Sequence, residues 1–111
     1  MCLSIKGSQA RPTKNQVCFK VVKRSTRTSP YFGVGYLPGG IVKAEGVPDW
    51  NGEDLHGGAI HVYTDERTAN KFWGGGESNY WMVVRVLCKP QHFLGCNWWG
   101  EAAYSEVEVL D

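Results

Sequence analysis

An α+β domain is the fold class this sequence predicts, and three observations predict it. One segment, about residues 65–73, has helical periodicity between a capping acid and a run of glycines. Several short apolar runs with strand character surround it. The length, 111 residues, suits a single domain and leaves no room for two. The expected architecture is a mainly antiparallel sheet of roughly four to six strands packed with one main helix.

Residues 1–16 are polar, contain Pro12 and lack apolar periodicity, so they are expected to form a flexible N-terminal arm before a single domain at 17–111. Residues 17–23 (VCFKVVK) are β-branched and aromatic and read as the first strand. A polar loop follows at 24–29, then a short strand at 31–36 containing Gly33 and Gly35. Leu37-Pro38-Gly39-Gly40 is a turn, and 41–45 another strand. Residues 46–58 contain Pro48, Asn51-Gly52 and Gly57-Gly58, and are expected to be a surface loop carrying Trp50 and His56. A loop that long is uncommon unless it has a function or moves.

Residues 59–63 (AIHVY) form a short apolar strand. Thr64 or Asp65 can cap the helix after it, and Asp65 and Glu66 place negative charge at its positive end. Ala69, Phe72 and Trp73 make one apolar stripe, Arg67 and Lys71 a cationic row elsewhere, and Gly74-Gly75-Gly76 ends the helix. Residues 80–88 (YWMVVRVLC) are the most apolar run, expected as a central strand covered on both faces and ended by Pro90. In 102–110, Ala103, Ser105, Val107 and Val109 alternate with Tyr104, Glu106 and Glu108. That predicts one strand with a buried and a wetter face.

Hydrophobic residues make up 42% of the chain and charged ones 21%, ordinary globular usage, and the aromatic share of 13% supplies rings for a core. No run approaches the roughly 18 apolar residues that span a membrane, and the first residues lack a signal-peptide core. A cytoplasmic protein with no membrane partner is therefore expected. Cys2, Cys18, Cys88 and Cys96 show no Cys-x-x-Cys spacing, which in a reducing compartment predicts free thiols.

Charge is unevenly placed. Residues 1–44 hold eight basic side chains and no acid, and residues 45–111 hold four bases and all eleven acids. The halves carry +8 and −7, against a net +1. Such asymmetry can mark a nucleic-acid or membrane-surface partner, but near-cancellation favours halves that face each other, within one fold or across a dimer.

His61 and Tyr63 share a strand face by the two-residue period and could line a cleft, although a strand His is more often structural. Glu106 and Glu108 share a face too, where paired carboxylates can do acid–base work or simply be solvated. Cys88-x3-His92-x3-Cys96 has soft ligands, but structural zinc needs a fourth and nothing points to His56 or His61, so no metal is expected. Trp98 and Trp99 cannot both enter one core from a regular strand, which places one at an oligomer interface or a pocket rim, beside Glu101 and Tyr104. Gly33-Val34-Gly35 and the helix-ending glycines match no phosphate loop, so no cofactor is expected. The basic half interleaves Phe19, Tyr31, Phe32 and Tyr36, a mix used by single-strand nucleic-acid platforms, but it carries no recognised module, and the sequence argues against that partner.

Three segments, G-A-I-H-V-Y-T-D-E-R-T-A (58–69), V-V-R-V (83–86) and G-E-A-A-Y-S-E-V (100–107), resemble a group of small uncharacterised bacterial proteins carried on phages, integron gene cassettes and other mobile elements. The resemblance covers about half the chain and implies a fold and a genetic context. The order of His61, Tyr63 and a C-terminal strand Glu106 is similar to that in ADP-ribosyl-transferring folds, which implies those three as a catalytic set. The leading expectation is a non-enzymatic binding or interaction module. It would self-associate as a homo-oligomer through Trp98 and Trp99. The small enzyme is the first alternative and a nucleic-acid partner the second.

Overall fold

Runs of Val, Ile, Phe, Tyr and Cys with period-two burial extend as strands, and strands take up most of the ordered structure here. A computed structural model describes residues 3–4, 12–28, 35–44, 49–51, 54–72, 80–96 and 100–111. In chain order these give β1 (Leu3–Ser4), β2 (Gln16–Lys23), β3 (Ile41–Lys43), β4 (Asp49–Asn51), β5 (Asp54–Gly57), β6 (Ile60–Tyr63), α1 (Glu66–Phe72), β7 (Trp81–Cys88), a 3-10 turn (Pro90–His92), β8 (Phe93–Cys96), β9 (Glu101–Tyr104) and β10 (Glu106–Val109). Seven strands form one antiparallel sheet in the order β3-β10-β7-β2-β6-β9-β8, and β1-β5-β4 form a second, small one.

The large sheet curls back on itself, and Ser105 shows why. β9 is the sixth strand and β10 the second, yet only Ser105 separates them in the chain. One residue spans less than two Cα–Cα steps of 3.8 Å, so the two ends of the sheet must meet. The Ser105 amide donates to the His92 carbonyl and its carbonyl accepts from the Ala44 amide, both at 2.8 Å. The N–H and C=O of an extended residue point to the same side. β8 and β3 therefore lie end to end along one side of the β9–β10 run, with β6 and β7 along the other. The result is a small closed barrel.

Residues directly opposite on paired strands share a face. Cys18 faces Val86, Lys20 faces Val84, Ile60 faces Tyr104, Val62 faces Ala102 and Val109 faces Val86. With Val22, Val107 and Phe93 the apolar ones among these form the main buried cluster, which fills the barrel interior, and Tyr36 joins it from the loop side. Val21 and Ala69 are also buried, at 3% and 0% exposure, but lie outside that cluster. They mark the contact of α1 with the outer face of β2, β6 and β7.

The α+β expectation is thereby corrected. The core is made by the sheet closing on itself, and α1, seven residues long, covers only part of the outside. Among its described side chains only Ala69 is buried, and a helix of seven residues is too short to supply an opposing layer to seven strands. The predicted boundary at Asp65 does hold as a cap: its carboxylate accepts from the Thr68 amide at 2.7 Å and from the Thr68 hydroxyl at 2.8 Å. Trp73 and Gly74–Gly76 lie outside the described residues.

Three further expectations change. Much of 46–58 is not loop, because β4 and β5 pair there. β7 is covered only in part on its outer face: Val84, Val86 and Cys88 are buried inward, while outward Val83 and Leu87 are half-buried and Arg85 is exposed. The 102–110 strand breaks at Ser105, which inserts one residue into the alternation. Tyr104, expected on the wetter face with the glutamates, therefore points into the core at 2% exposure.

The two halves of the charge distribution interleave. β2, from the basic half, sits between β7 and β6. Lys43 meets Glu106 at 3.8 Å, and the Arg27 guanidinium donates to the Asp111 carbonyl oxygen. Cys18, Cys88 and Cys96 are free thiols, the first two buried. Among the described residues no helix is long and apolar enough to cross a membrane.

Candidate functional site on the outer face of β6 and β9

Tyr63 stands opposite Phe19 on one side and Glu101 on the other, so the three side chains share the outer face of β2, β6 and β9. His61, two residues back along β6, has the same face by the strand period, opposite Ala103. His61 and Tyr63 are half-buried, and Glu101 is 7% exposed. An imidazole, a phenol ring and a carboxylate thus adjoin one another beside α1.

Gly100 sets Glu101 in place. Its carbonyl accepts from the Thr64 amide at 2.8 Å and from the Thr64 hydroxyl at 3.2 Å, which ties the start of β9 to the end of β6. Gly100 has φ +97, a conformation strained for any side chain, and a Cβ there would lie 3.4 Å from the Thr64 and Thr68 hydroxyl oxygens. The site's carboxylate therefore follows a position that requires glycine.

Lys20 supplies the electrostatics from the other side of the sheet. It points into the barrel, at 8% exposure, where its ammonium donates to the His61 carbonyl at 2.8 Å and lies 5.7 Å from the centre of the Tyr36 ring. Burial pulls its pKa down to about 8, opposed by the attraction of Glu101. His61 falls to about 4, first by burial and then by the field of Lys20. The imidazole is therefore neutral at pH 7, able to donate from one nitrogen and accept at the other.

No protein-family model, curated protein or solved structure matches this chain. The geometry therefore carries the functional argument.

Of the predicted site residues, His61 and Tyr63 are together, but Glu106 is not with them. Glu106 lies past the Ser105 corner, opposite Lys43 on β3, whereas β6 pairs with β9 before that corner. Glu106 pairs with His92, Nε2 to Oε2 3.2 Å, at the seam where the barrel closes, and Ser105 Oγ stands 3.5 Å from His92 Nδ1. Glu101, expected at a ligand site or an interface, is the carboxylate beside Tyr63. Tyr104 is in the core, edge-on to Phe93 at 5.5 Å. Trp98 and Trp99 lie outside the described residues. Among those residues no group of three His, Cys, Asp or Glu side chains is placed to hold a metal: Cys88 is sealed in the core and His92 faces Glu106.

Lys20 was missed by the sequence reasoning, although a signal existed. It shares its parity with Cys18 and Val22, while Phe19, Val21 and Lys23 on the other parity likewise combine two apolar residues with one lysine, so alternation does not choose the inner face.

Proposed function

We propose that this protein is a small binding domain that takes a hydroxyl-rich ligand, such as a ribosyl or glycosyl compound, on the outer face of β6 and β9. The juxtaposition of Glu101, Tyr63 and a neutral His61 carries the reading. A desolvated carboxylate accepts hydrogen bonds from vicinal hydroxyls, an aromatic ring offers a flat apolar surface, and a neutral imidazole contributes a directional donor and acceptor. Perturbed titratable groups that cluster around such a feature are characteristic of working sites. Ligand-observed NMR with NAD, adenosine and a set of free sugars tests it. Saturation transfer to a ribosyl or glycosyl compound, lost in Glu101→Gln and Tyr63→Ala, is expected. No transfer to any of them would remove this reading.

The same placement favours a second reading, the small enzyme of ADP-ribosyl-transferring type, with Glu101 in place of Glu106. A carboxylate beside a glycosidic carbon can stabilise the positive charge that develops as the bond breaks. Release of nicotinamide from NAD by the wild type but not by Glu101→Gln separates catalysis from binding alone. The cytoplasmic location and the mobile-element context belong to the same proposal and rest on the sequence. Self-association through Trp98 and Trp99 is tested by sizing the wild type against a Trp98→Ala/Trp99→Ala variant.

A further inference from the structure

A second surface lies where β2 ends and β7 begins, apart from the acidic site. Lys23 and Trp81 are direct cross-strand partners on the outer face. Tyr80, just before β7, is 57% exposed, and its ring meets that of Trp81 edge-on at 4.6 Å. The Lys23 ammonium lies 6.0 Å from the Tyr80 ring centre. Arg24 is fixed beside them: its amide donates to the Tyr80 carbonyl at 2.8 Å and its guanidinium to the Trp81 carbonyl at 3.2 Å. Two aromatic rings and two cations are thus held by backbone pairing on one exposed strand end.

From this arrangement we propose that the Lys23–Arg24–Tyr80–Trp81 surface binds single-stranded nucleic acid, an unpaired base stacking on Tyr80 and adjacent phosphates contacting Lys23 and Arg24. The chemistry favours a single strand, because a base inside a duplex does not expose the face that an aromatic ring stacks on. The backbone anchoring of Arg24 fixes its position before binding, which lowers the ordering cost. The charge asymmetry of the sequence acquires a local meaning here. Lys23 and Arg24 both come from the basic half and stand beside the exposed Tyr80 ring.

The test is fluorescence anisotropy with labelled oligo(dT) and oligo(U) of about ten nucleotides, against a duplex of the same length. Binding to a single strand is expected to fall with salt at a log–log slope of about −1.4, the value for two phosphate contacts. Tyr80→Ala should weaken it about tenfold, and Lys23→Ala/Arg24→Ala should abolish the salt dependence, both with unchanged circular dichroism. No binding to either strand at about 50 mM salt would overturn the proposal. So would a Tyr80→Ala variant that binds within twofold of wild type, or a duplex bound as tightly as the single strand.

Discussion

β9 and β10 are two halves of one run of chain, yet they are built to opposite rules. All four residues of β9 are buried, whereas β10 alternates half-buried and buried positions. β9 lies between β6 and β8, and its inward side chains, Ala102 and Tyr104, join the barrel core. β10 lies beside the short edge strand β3, so Glu106 and Glu108 meet water while Val107 and Val109 meet the core. The difference teaches that a glutamate in this run takes its character from its neighbouring strands. Glu101 and Glu106 are both strand glutamates of the outer face, but only Glu101 is deeply buried.

The sharpest test of that contrast is truncation on each side of Ser105. Tyr104→Ala removes a ring from the core and is expected to cost about 3–5 kcal/mol in urea unfolding. Glu108→Ala, on β10, should stay within about 0.5 kcal/mol. Equal losses would mean that the two strands are not differently buried.

The next largest effects follow the buried titrating groups near β9. His61 has a folded pKa of about 4 against 6.5 when unfolded, so the unfolded chain binds the extra proton between those values. Stability should therefore be full above pH 6.5 and fall as pH drops toward 4, by about 3 kcal/mol at most, a loss absent in His61→Gln. Lys20 has a folded pKa of about 8 against 10.5. The unfolded state again holds more protons, so stability should rise between pH 8 and 10.5, by about 3 kcal/mol at most, and Lys20→Met should flatten that rise. Buried Tyr36 and Tyr104, whose pKa values are raised by burial, turn the curve down at still higher pH. Denaturant titrations across pH check both signs.

Smaller effects come from the joints. Gly100→Ala forces a side chain into a positive-φ position at the start of β9 and should cost about 1–2 kcal/mol, measured by thermal melting. Breaking Glu106 from His92 and Lys43 with Glu106→Gln should cost less than about 1 kcal/mol, because the pairs are partly solvated. Asp65→Ala, on the exposed helix cap, should give a drop confined to α1 and visible as faster amide exchange at Thr68.

Local pattern alone determined that residues 17–23, 59–63 and 80–88 are strands, that Thr64 or Asp65 caps a helix, and that His61 and Tyr63 share a face. These follow from side-chain shape, period and a single capping carboxylate, all of which act within a few residues. Tertiary structure decided the rest. It alone could make the sheet close at Ser105 and send Lys20 inward, because both strand parities of β2 are apolar and only closure says which is enclosed. It also set Glu101, not Glu106, beside Tyr63. Register between distant strands depends on how many residues the corner consumes, and the extra residue at Ser105 lets Tyr104 face the core while Glu106 and Glu108 stay out of it.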